Sequence, residues 1–475
     1  MMSDKTNSTQ VAVIGGGPGG YAAAFLAADL GLQVSLVDLE ARPGGVCLYR
    51  GCIPSKSLLH AARVLAEARE AADWGIEFAA PKIDIQKLRA WKEGVVQQLT
   101  GGLGQLVKQR KIHYIQGRAS FVDASTIKIE KADGDQETMT FEHAIVATGS
   151  RPAVLPNLPP DSGRILDSTD ALELSDIPKT LLVIGGGYIG LELGTVYAAL
   201  GSQVSVVEML PGLMPGADRD LVRVLSKRLE TLFHSIMLNT TVASMEEVKD
   251  GIRVRLQGDV EEPEQVFEKV LVSVGRKPNS AGLGLENTNV EIDSRGFIQV
   301  DGQRRTAEPG IYAIGDVAGE PMLAHKATHE GRIAAEAIAG HKVAYEPQAI
   351  PAVVFTDPEV AWCGLTETQA REEGRSIQVA RFPWAASGRA MTLGRTDGLT
   401  KLIIDPETER VLGVGIVGVG AGELIGEGVL AIEMAALASD VSLSIHPHPT
   451  LSETVMESAE VFLGHSTHVY RPKRN

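Results

Sequence analysis

The sequence of 475 residues predicts an α/β fold, and three features carry that expectation. A strand–glycine turn–helix–strand pattern spans 11–38 and returns at 181–208, about 170 residues later. Between the copies, helical spacing gives way to short β-branched runs. From about residue 350 the composition changes to strand-like runs closed by a helical stretch. The repeat interval is far too long for a solenoid. Each copy therefore heads its own doubly wound unit, followed by a separate C-terminal α+β domain.

The first copy reads VAVIGGGPGGYAAAFLAADLGLQVSLVD. Residues 11–14 are an apolar strand, 18–30 an Ala-rich helix stopped by Gly31, and 34–37 a second strand. Such continuous apolar runs belong to a buried parallel sheet. Residues 57–112 carry charged and apolar residues at helical spacing, which predicts long helices. Short β-rich runs fill 113–148 and end in HAIVATGS. Pro152, Pro156, Pro159 and Pro160 then mark a link between domains. The second copy, LLVIGGGYIGLELGTVYAALGSQVSVVE, follows. A strand-like GFIQVD lies at 296–301 and GIYAIGD at 310–316. Beyond 350, PAVVFTDPEVAWCGLT, KLIIDPETERVLGVGIVG and GVLAIEMAALASD predict an antiparallel sheet flanked by helices.

Composition excludes several classes. A net charge of −15 repels phosphate backbones and anionic membranes, and 5% aromatic residues argue against base stacking, so no nucleic-acid partner is expected. Three cysteines are too few for a secreted disulfide framework. The N-terminal MMSDKTNSTQ resembles neither a signal peptide nor a presequence, and no run of ~18 apolar residues occurs. A soluble, cytoplasmic protein with no membrane partner is expected. Glycine is in excess, with 51 residues and no collagen period. Glycines of this kind belong at turns where backbone approaches something closely.

Gly15-x-Gly17-x-x-Gly20 and Gly185-x-Gly187-x-x-Gly190 each follow a strand and open a helix. The first glycine permits the tight turn, the second lets backbone approach a pyrophosphate, and the third lets helix pack on strand. Asp38 and Glu208 each lie 18 residues past the last glycine, placed to accept ribose hydroxyls. No Arg lies within ten residues after Glu208, which favours NAD over NADP. Two such Rossmann-like units in one chain imply electron transfer between two cofactors, most simply FAD and NAD.

Cys47 and Cys52 are five apart in GGVCLYRGCIPSKSLLH. In a regular helix these positions point about 140° apart, so a bridge requires a distorted turn, and Gly51 supplies the freedom. A cytoplasmic bridge of this kind would be catalytic or redox-sensing. Metal ligation and inert thiols are the alternatives, although zinc prefers CxxC spacing and four ligands. Cys363, in AWCGL, reads as a buried core thiol. IHPHPTLSETV holds His446, His448 and Glu453. Pro447 and Pro449 force extended backbone, so the two histidines are expected to point the same way, as metal ligands or with one acting as acid/base beside a carboxylate.

VAVIGGGPGGYAAA, GGVCLYRGCIPSKSLL, ATGSRP, VIGGGYIGLELG, VGRKPN, IYAIGDVAGEPMLAHKA and HPHPTLSE, in this order, resemble the flavin-dependent pyridine nucleotide–disulfide oxidoreductases over nearly the whole chain. The resemblance implies a redox-active Cys47–Cys52 disulfide, His448 as acid/base and Glu453 orienting it, with His446 structural and no metal. Gly15, Gly17, Gly20 and Asp38 would hold FAD, with Gly117 and Gly149 approaching through backbone, Asp316 and Ala324 at its far end, and Lys56 by the flavin ring facing Glu192. Gly185, Gly187, Tyr188, Ile189, Gly190 and Glu208 would hold NAD, with Ser273 nearby. Within the family the pattern resembles the branch that oxidises protein-bound dihydrolipoamide with NAD+. The alternative is an NADH-dependent reductase of another small disulfide. Implied partners are a second copy of the chain and either the lipoyl domains of an acyltransferase of 2-oxo acid dehydrogenase complexes or a lipoyl carrier protein. The implied division is an FAD-binding domain at 1–150, an NAD-binding domain at 151–280, a central domain completing the FAD site at 281–350, and a C-terminal dimerisation domain at 351–475. Two departures stand out: Asp38 where the family more often has Glu, and Tyr49-Arg50 between the cysteines, which is expected to alter charge at the redox turn.

Overall fold

The structure, a computed structural model, describes residues 7–155 and 162–470. Pro156, Pro159 and Pro160 of the expected link lie outside the described residues, whereas Pro152 ends the short strand Ser150–Pro152.

In the first sheet, Val34–Asp38, Asn7–Ile14 and Gln136–Val146 run parallel, with His113–Gln116 at one side. Successive residues face opposite ways, and both faces are buried: Val11 and Val13 join one core cluster, Ala12 and Ile14 another. Gln136–Val146 is shared by two partners. Its first half pairs antiparallel with Thr126–Glu130, and Ala144–Val146 pair in parallel with Ile311–Ala313. A segment about 165 residues further on thus completes the first sheet. The helix Ala324–Ile338 then packs on the helix Pro18–Asp29, where a Cβ on Gly331 would lie 2.5 Å from the Gly19 carbonyl oxygen.

The second copy builds a parallel sheet in the order Ser235–Met237, Gln203–Val207, Thr180–Ile184, Lys269–Val272, Ile165–Leu166. An antiparallel three-stranded sheet packs Ile252, Val254 and Leu256 against its Leu182 and Ile184. At the C-terminal end, Ala352–Val354, Glu359–Gly364, Val411–Gly418, Leu399–Ile404 and Gln378–Pro383 form an antiparallel sheet in that order. The helices Ala421–Glu433 and Glu453–Leu463 contribute to its core, and Cys363 is buried there.

The expected helices at 57–112 are Cys52–Glu70 and Ile85–Gln109, the first starting at the second cysteine. Two expectations are corrected. GFIQVD is not a strand: only an isolated bridge joins Ile292 to Ile298, because the Ile298 N–H donates to the Val317 carbonyl and the Phe297 N–H to Asp293 Oδ1. The helical stretch GVLAIEMAALASD is broken at Ala435, which has φ of +52°. Among the described residues no helix is long and apolar enough to cross a membrane.

Candidate active site

The chain leaves its first strand through Gly15, at φ +107°, where a Cβ would lie 2.3 Å from the Ala147 carbonyl oxygen. A Cβ on Gly20 would lie 1.8 Å from the Gly15 carbonyl oxygen, so the helix begins hard against the strand. The second copy repeats this: Gly185 has φ +107°, and a Cβ on Gly190 would lie 2.5 Å from both the Gly185 carbonyl oxygen and Ser273 Oγ. The acids repeat it too. Asp38 accepts the Gly16 N–H at 2.5 Å and the Glu40 N–H at 2.8 Å. Glu208 accepts the Gly186 N–H at 2.7 Å and the Leu210 N–H at 2.8 Å. Each carboxylate is thereby fixed beside its glycine turn with acceptor capacity left for ribose hydroxyls. Burial lifts the Asp38 carboxyl above its usual range, against the Gly16 N–H and Arg50, which pull it down. Arg219 lies eleven residues past Glu208, but its guanidinium is spent on the carbonyls of Leu213, Met214 and Ala217.

One cleft of about 460 Å3 runs from Asp38 and Glu40 past Gly15 and Gly17 to Cys47, Cys52 and Lys56. It continues to Tyr188, Ile189 and Glu192, and Gly149, Asp316 and Ala324 line it as well. A Cβ on Gly45 would lie 2.5 Å from Gly17 Cα, so the cysteine segment is docked on the first glycine loop. This cradle fits FAD: a side-chain-free loop at a helix N-terminus for the pyrophosphate, an acid for the ribose, and thiols further along. Gly20 and Gly117 are off the cleft wall. The Gly117 N–H instead holds the Asp38 carbonyl at 2.8 Å. Gly185, Gly187, Gly190, Glu208 and Ser273 also lie off this cleft, at the second loop, which has the same features to receive NAD. Tyr188, Ile189 and Glu192 reach the cleft from the first turns of the helix Tyr188–Leu200, so one helix serves both sites.

The helix Gly45–Arg50 ends at Gly51, and Cys52 opens the next helix. A Cβ on Gly51 would lie 2.8 Å from the Val46 carbonyl oxygen, so this break requires glycine. The break supplies the expected distorted turn and brings the two thiols together as free thiols. The neighbouring Cys47 thiol, and then the Lys56 ammonium, pull the Cys52 thiol down to about 7 against burial and Glu192, while Cys47 is pushed far up. The N-terminus of a 19-residue helix adds its dipole in favour of a Cys52 thiolate. Cys363 shows the contrast: 1% exposed, with its thiol pushed up to about 12 by burial.

Lys56 Nζ donates to Glu192 Oε2 at 2.7 Å and stands over the Phe355 ring at 4.6 Å. Ser55 Oγ and the Phe355 N–H also donate to the Glu192 carboxylate. Lys56 and Glu192 are the charged side chains that act most on Cys52, and the Arg50 guanidinium pairs with Glu40.

His446 and His448 do not point the same way, because separate carboxylates claim them. His446 Nε2 meets Glu427 Oε1 at 2.7 Å with its side chain 8% exposed. His448 Nδ1 meets Glu453 Oε1 at 2.8 Å with its side chain 72% exposed. Burial raises the Glu453 carboxyl, but the Thr450 N–H and His448 hold it below its usual range. His448 and Glu453 do not line the cleft of their own chain.

Sequence reasoning missed Ser150 and Arg276. Ser150 Oγ donates to Asp316 Oδ2 at 2.5 Å, and Arg276 Nε donates to Ser150 Oγ at 2.7 Å. Both lie inside quoted motifs, ATGSRP and VGRKPN, but no spacing rule joins them. Among the described residues, Asp218, Asp220 and Glu367 converge as a metal site would. The Lys401 ammonium fills that position, 2.7 Å from each.

Residues 9–331 match the pyridine nucleotide-disulphide oxidoreductase family, and residues 350–459 match its dimerisation domain. The chain is 51% identical over 463 residues to dihydrolipoyl dehydrogenase of Haemophilus influenzae, covering 98% of this chain and 97% of that protein. It is 46% identical to dihydrolipoyl dehydrogenase of Geobacillus stearothermophilus, covering 99% of each. Among solved structures, LpdA of Mycobacterium tuberculosis superposes with a TM-score of 0.89 at 28% identity, covering 96% of this chain and 99% of that one. The flavoprotein disulfide reductase RclA of Escherichia coli gives 0.86 at 28% identity, covering 96% and 100%.

Proposed function

The chain belongs to the pyridine nucleotide–disulphide oxidoreductase family, and from that membership we propose that it oxidises protein-bound dihydrolipoamide to lipoamide while NAD+ becomes NADH. The activity is that of a dihydrolipoyl dehydrogenase with FAD and NAD as cofactors. The observation that carries the reading is the placement of Cys47, Cys52 and Lys56 on the same cleft as the first glycine loop, with Cys52 opening the helix Cys52–Glu70.

Each residue has a part in the chemistry. Glu453 holds His448 Nδ1, which leaves Nε2 to take a proton from a dihydrolipoamide thiol. The resulting thiolate attacks Cys47 Sγ of the Cys47–Cys52 disulfide, and Cys52 leaves as thiolate. The second substrate thiol then attacks its own mixed-disulfide sulfur, closing lipoamide and releasing Cys47. Two electrons have passed to the protein dithiol, and Lys56 stabilises the Cys52 anion. FAD, when bound, supplies the route for that electron pair from Cys52 to NAD+. Gly15, Gly17, Asp38, Gly149, Asp316 and Ala324 would hold FAD, with Gly20 seating the helix against the strand and Gly117 bracing Asp38. Gly185, Gly187, Tyr188, Ile189, Gly190, Glu192, Glu208 and Ser273 would serve NAD. Fixed acids and spent cations at Glu208 favour NAD over NADP.

The exposed His448 and the match to a dimerisation domain support a homodimer in which each copy lends His448 to the other's cleft. The proposed division is at 150, 280 and 350, with Ile311–Ala313 of the third part pairing into the first sheet and Ser150–Pro152 pairing with Arg276–Pro278. The substrate arm comes from the lipoyl domains of a 2-oxo acid dehydrogenase acyltransferase or from a lipoyl carrier protein. A working dithiol and a supply of NAD+ fit a cytoplasmic setting. Replacing Cys52 with Ser tests the reading: dihydrolipoamide turnover should vanish while NADH still reduces an artificial dye. Full turnover in Cys52→Ser would refute it. Faster turnover of glutathione disulfide or coenzyme A disulfide than of lipoamide would favour another small disulfide.

A further inference from the structure

Tyr49 and Arg50, the departure between the cysteines, part company in the fold. The Tyr49 hydroxyl donates to the Arg42 carbonyl at 3.0 Å, and Tyr49 does not line the cleft. Arg50 does line it, at the Asp38 end, where it pairs with Glu40. Arg50 closes the helix Gly45–Arg50, whose first residue abuts Gly17 of the phosphate loop. Five residues of helix advance only ~7.5 Å along the axis, so the Arg50 backbone stays near that loop while its guanidinium reaches Glu40.

The other cations on the cleft wall are committed to the protein. Lys56 is held by Glu192, Arg276 by Ser150, and Arg151 by Asn279 and the Pro278 carbonyl. Arg50 has five donors and one carboxylate partner, with its side chain 39% exposed. That end of the cleft already carries Asp38 and Glu40, and FAD would add a diphosphate between them and the flavin. A cation there offsets like-charge crowding.

We infer that Arg50 is a binding residue for the ADP half of FAD, its guanidinium joining Glu40 to the diphosphate. The inference rests on the FAD-binding reading above. Planar forks suit carboxylate and phosphate together, which a Lys does not match.

Binding of FAD and of ADP to FAD-free protein, read by flavin fluorescence and calorimetry, tests it. Arg50→Ala should weaken both ligands by about tenfold to a hundredfold, as loss of one charge-assisted contact does. Glu40→Gln frees the guanidinium and removes an anion, so it should bind FAD at least as tightly as the parent. Thermal melting of the FAD-free variants checks folding, and where the alanine variant unfolds, Arg50→Lys, which keeps charge but loses the fork, should still weaken FAD relative to the parent. Unchanged FAD affinity in Arg50→Ala, or in Arg50→Lys where only that variant folds, overturns the inference. Loss of FAD with unchanged ADP affinity, measured with the second glycine loop saturated by a non-reducible NAD analogue, also overturns it, since Arg50 would then act through the cysteine turn. Equal weakening in Glu40→Gln and Arg50→Ala overturns it as well, because the pair would be a brace. Failure of the parent chain to take up FAD would sink the underlying reading instead.

Discussion

Lys56 Nζ and Glu192 Oε2 meet at 2.7 Å across the cleft, joining the cysteine helix to the second dinucleotide helix. Glu192 is 3% exposed and also accepts from Ser55 and from the Phe355 backbone of the C-terminal segment. Three segments therefore fix the two charges that bias Cys52 in opposite directions. Lys56→Met should raise the pH midpoint of Cys52 thiolate formation above about 7, and Glu192→Gln should lower it. The expected displacement is about one unit each, the usual effect of a single nearby charge. Iodoacetamide alkylation of the reduced protein against pH measures both, and a midpoint indifferent to either change would contradict the arrangement.

The contact between Gly45 and Gly17 makes a second prediction. Gly45 has φ +58°, and its Cβ would lie 2.5 Å from Gly17 Cα. Gly45→Ala must therefore push the cysteine segment off the phosphate loop. FAD affinity should fall more than tenfold while the second loop, at Gly185, still binds an NAD analogue. Parallel titrations with FAD and with a non-reducible NAD analogue separate local damage from general unfolding.

The glycine loops, their acids and the cysteine pair are legible in the sequence because the chemistry demands particular residue types at short, fixed spacings. Ser150 on Asp316, Phe355 on Glu192, and Ile311–Ala313 in the first sheet are not, because each joins segments more than 150 residues apart. The parting of His446 and His448 fails for a related reason. Backbone spacing sets where a ring starts, but Glu427 and Glu453 decide where it goes. The glycine-rich run from Gly413 to Gly426 acquires its reason only in three dimensions. Trp384 is fully buried, and Cβ atoms on Gly398 and Gly418 would fall 2.2 Å and 2.3 Å from its ring. Gly415 leaves space for Lys401 in the same way.

Lys401 carries the third prediction. It is 1% exposed and ties Asp218 and Asp220, at the head of the helix Arg219–Leu232, to Glu367 of the C-terminal segment. Burial pushes the Asp220 carboxyl up, but Lys401 and Arg381 hold it below its usual range. A depressed carboxylate stabilises the fold above its unfolded value of ~3.9, and that contribution is lost as pH falls through the folded value. Lys401→Met leaves the buried Asp218 without its ammonium and Asp220 and Glu367 with Arg381 alone, which costs about 3–5 kcal/mol. The deficit should be largest at pH 7 and shrink towards pH 5, as the stranded carboxyls take up protons. Denaturant melts at the two pH values check the sign, and a deficit that grows on acidification would be inconsistent with it.

His448 offers its Nε2 outward while its own cleft lacks an acid/base from the C-terminal segment. If a second copy supplies the ring, activity should be recoverable by mixing two dead subunits. His448→Gln should lower dihydrolipoamide turnover by about 10²–10⁴-fold, the usual contribution of general acid–base catalysis. Cys52→Ser should abolish it. In a heterodimer of the two variants, one site takes intact cysteines from one subunit and an intact His448 from the other, while the second site lacks both. Co-expression with two affinity tags isolates that species, and its turnover should approach half that of the parent dimer. Were His448 to serve its own chain, every site in the heterodimer would lack one essential group. The mixed species would then be as inactive as its parts.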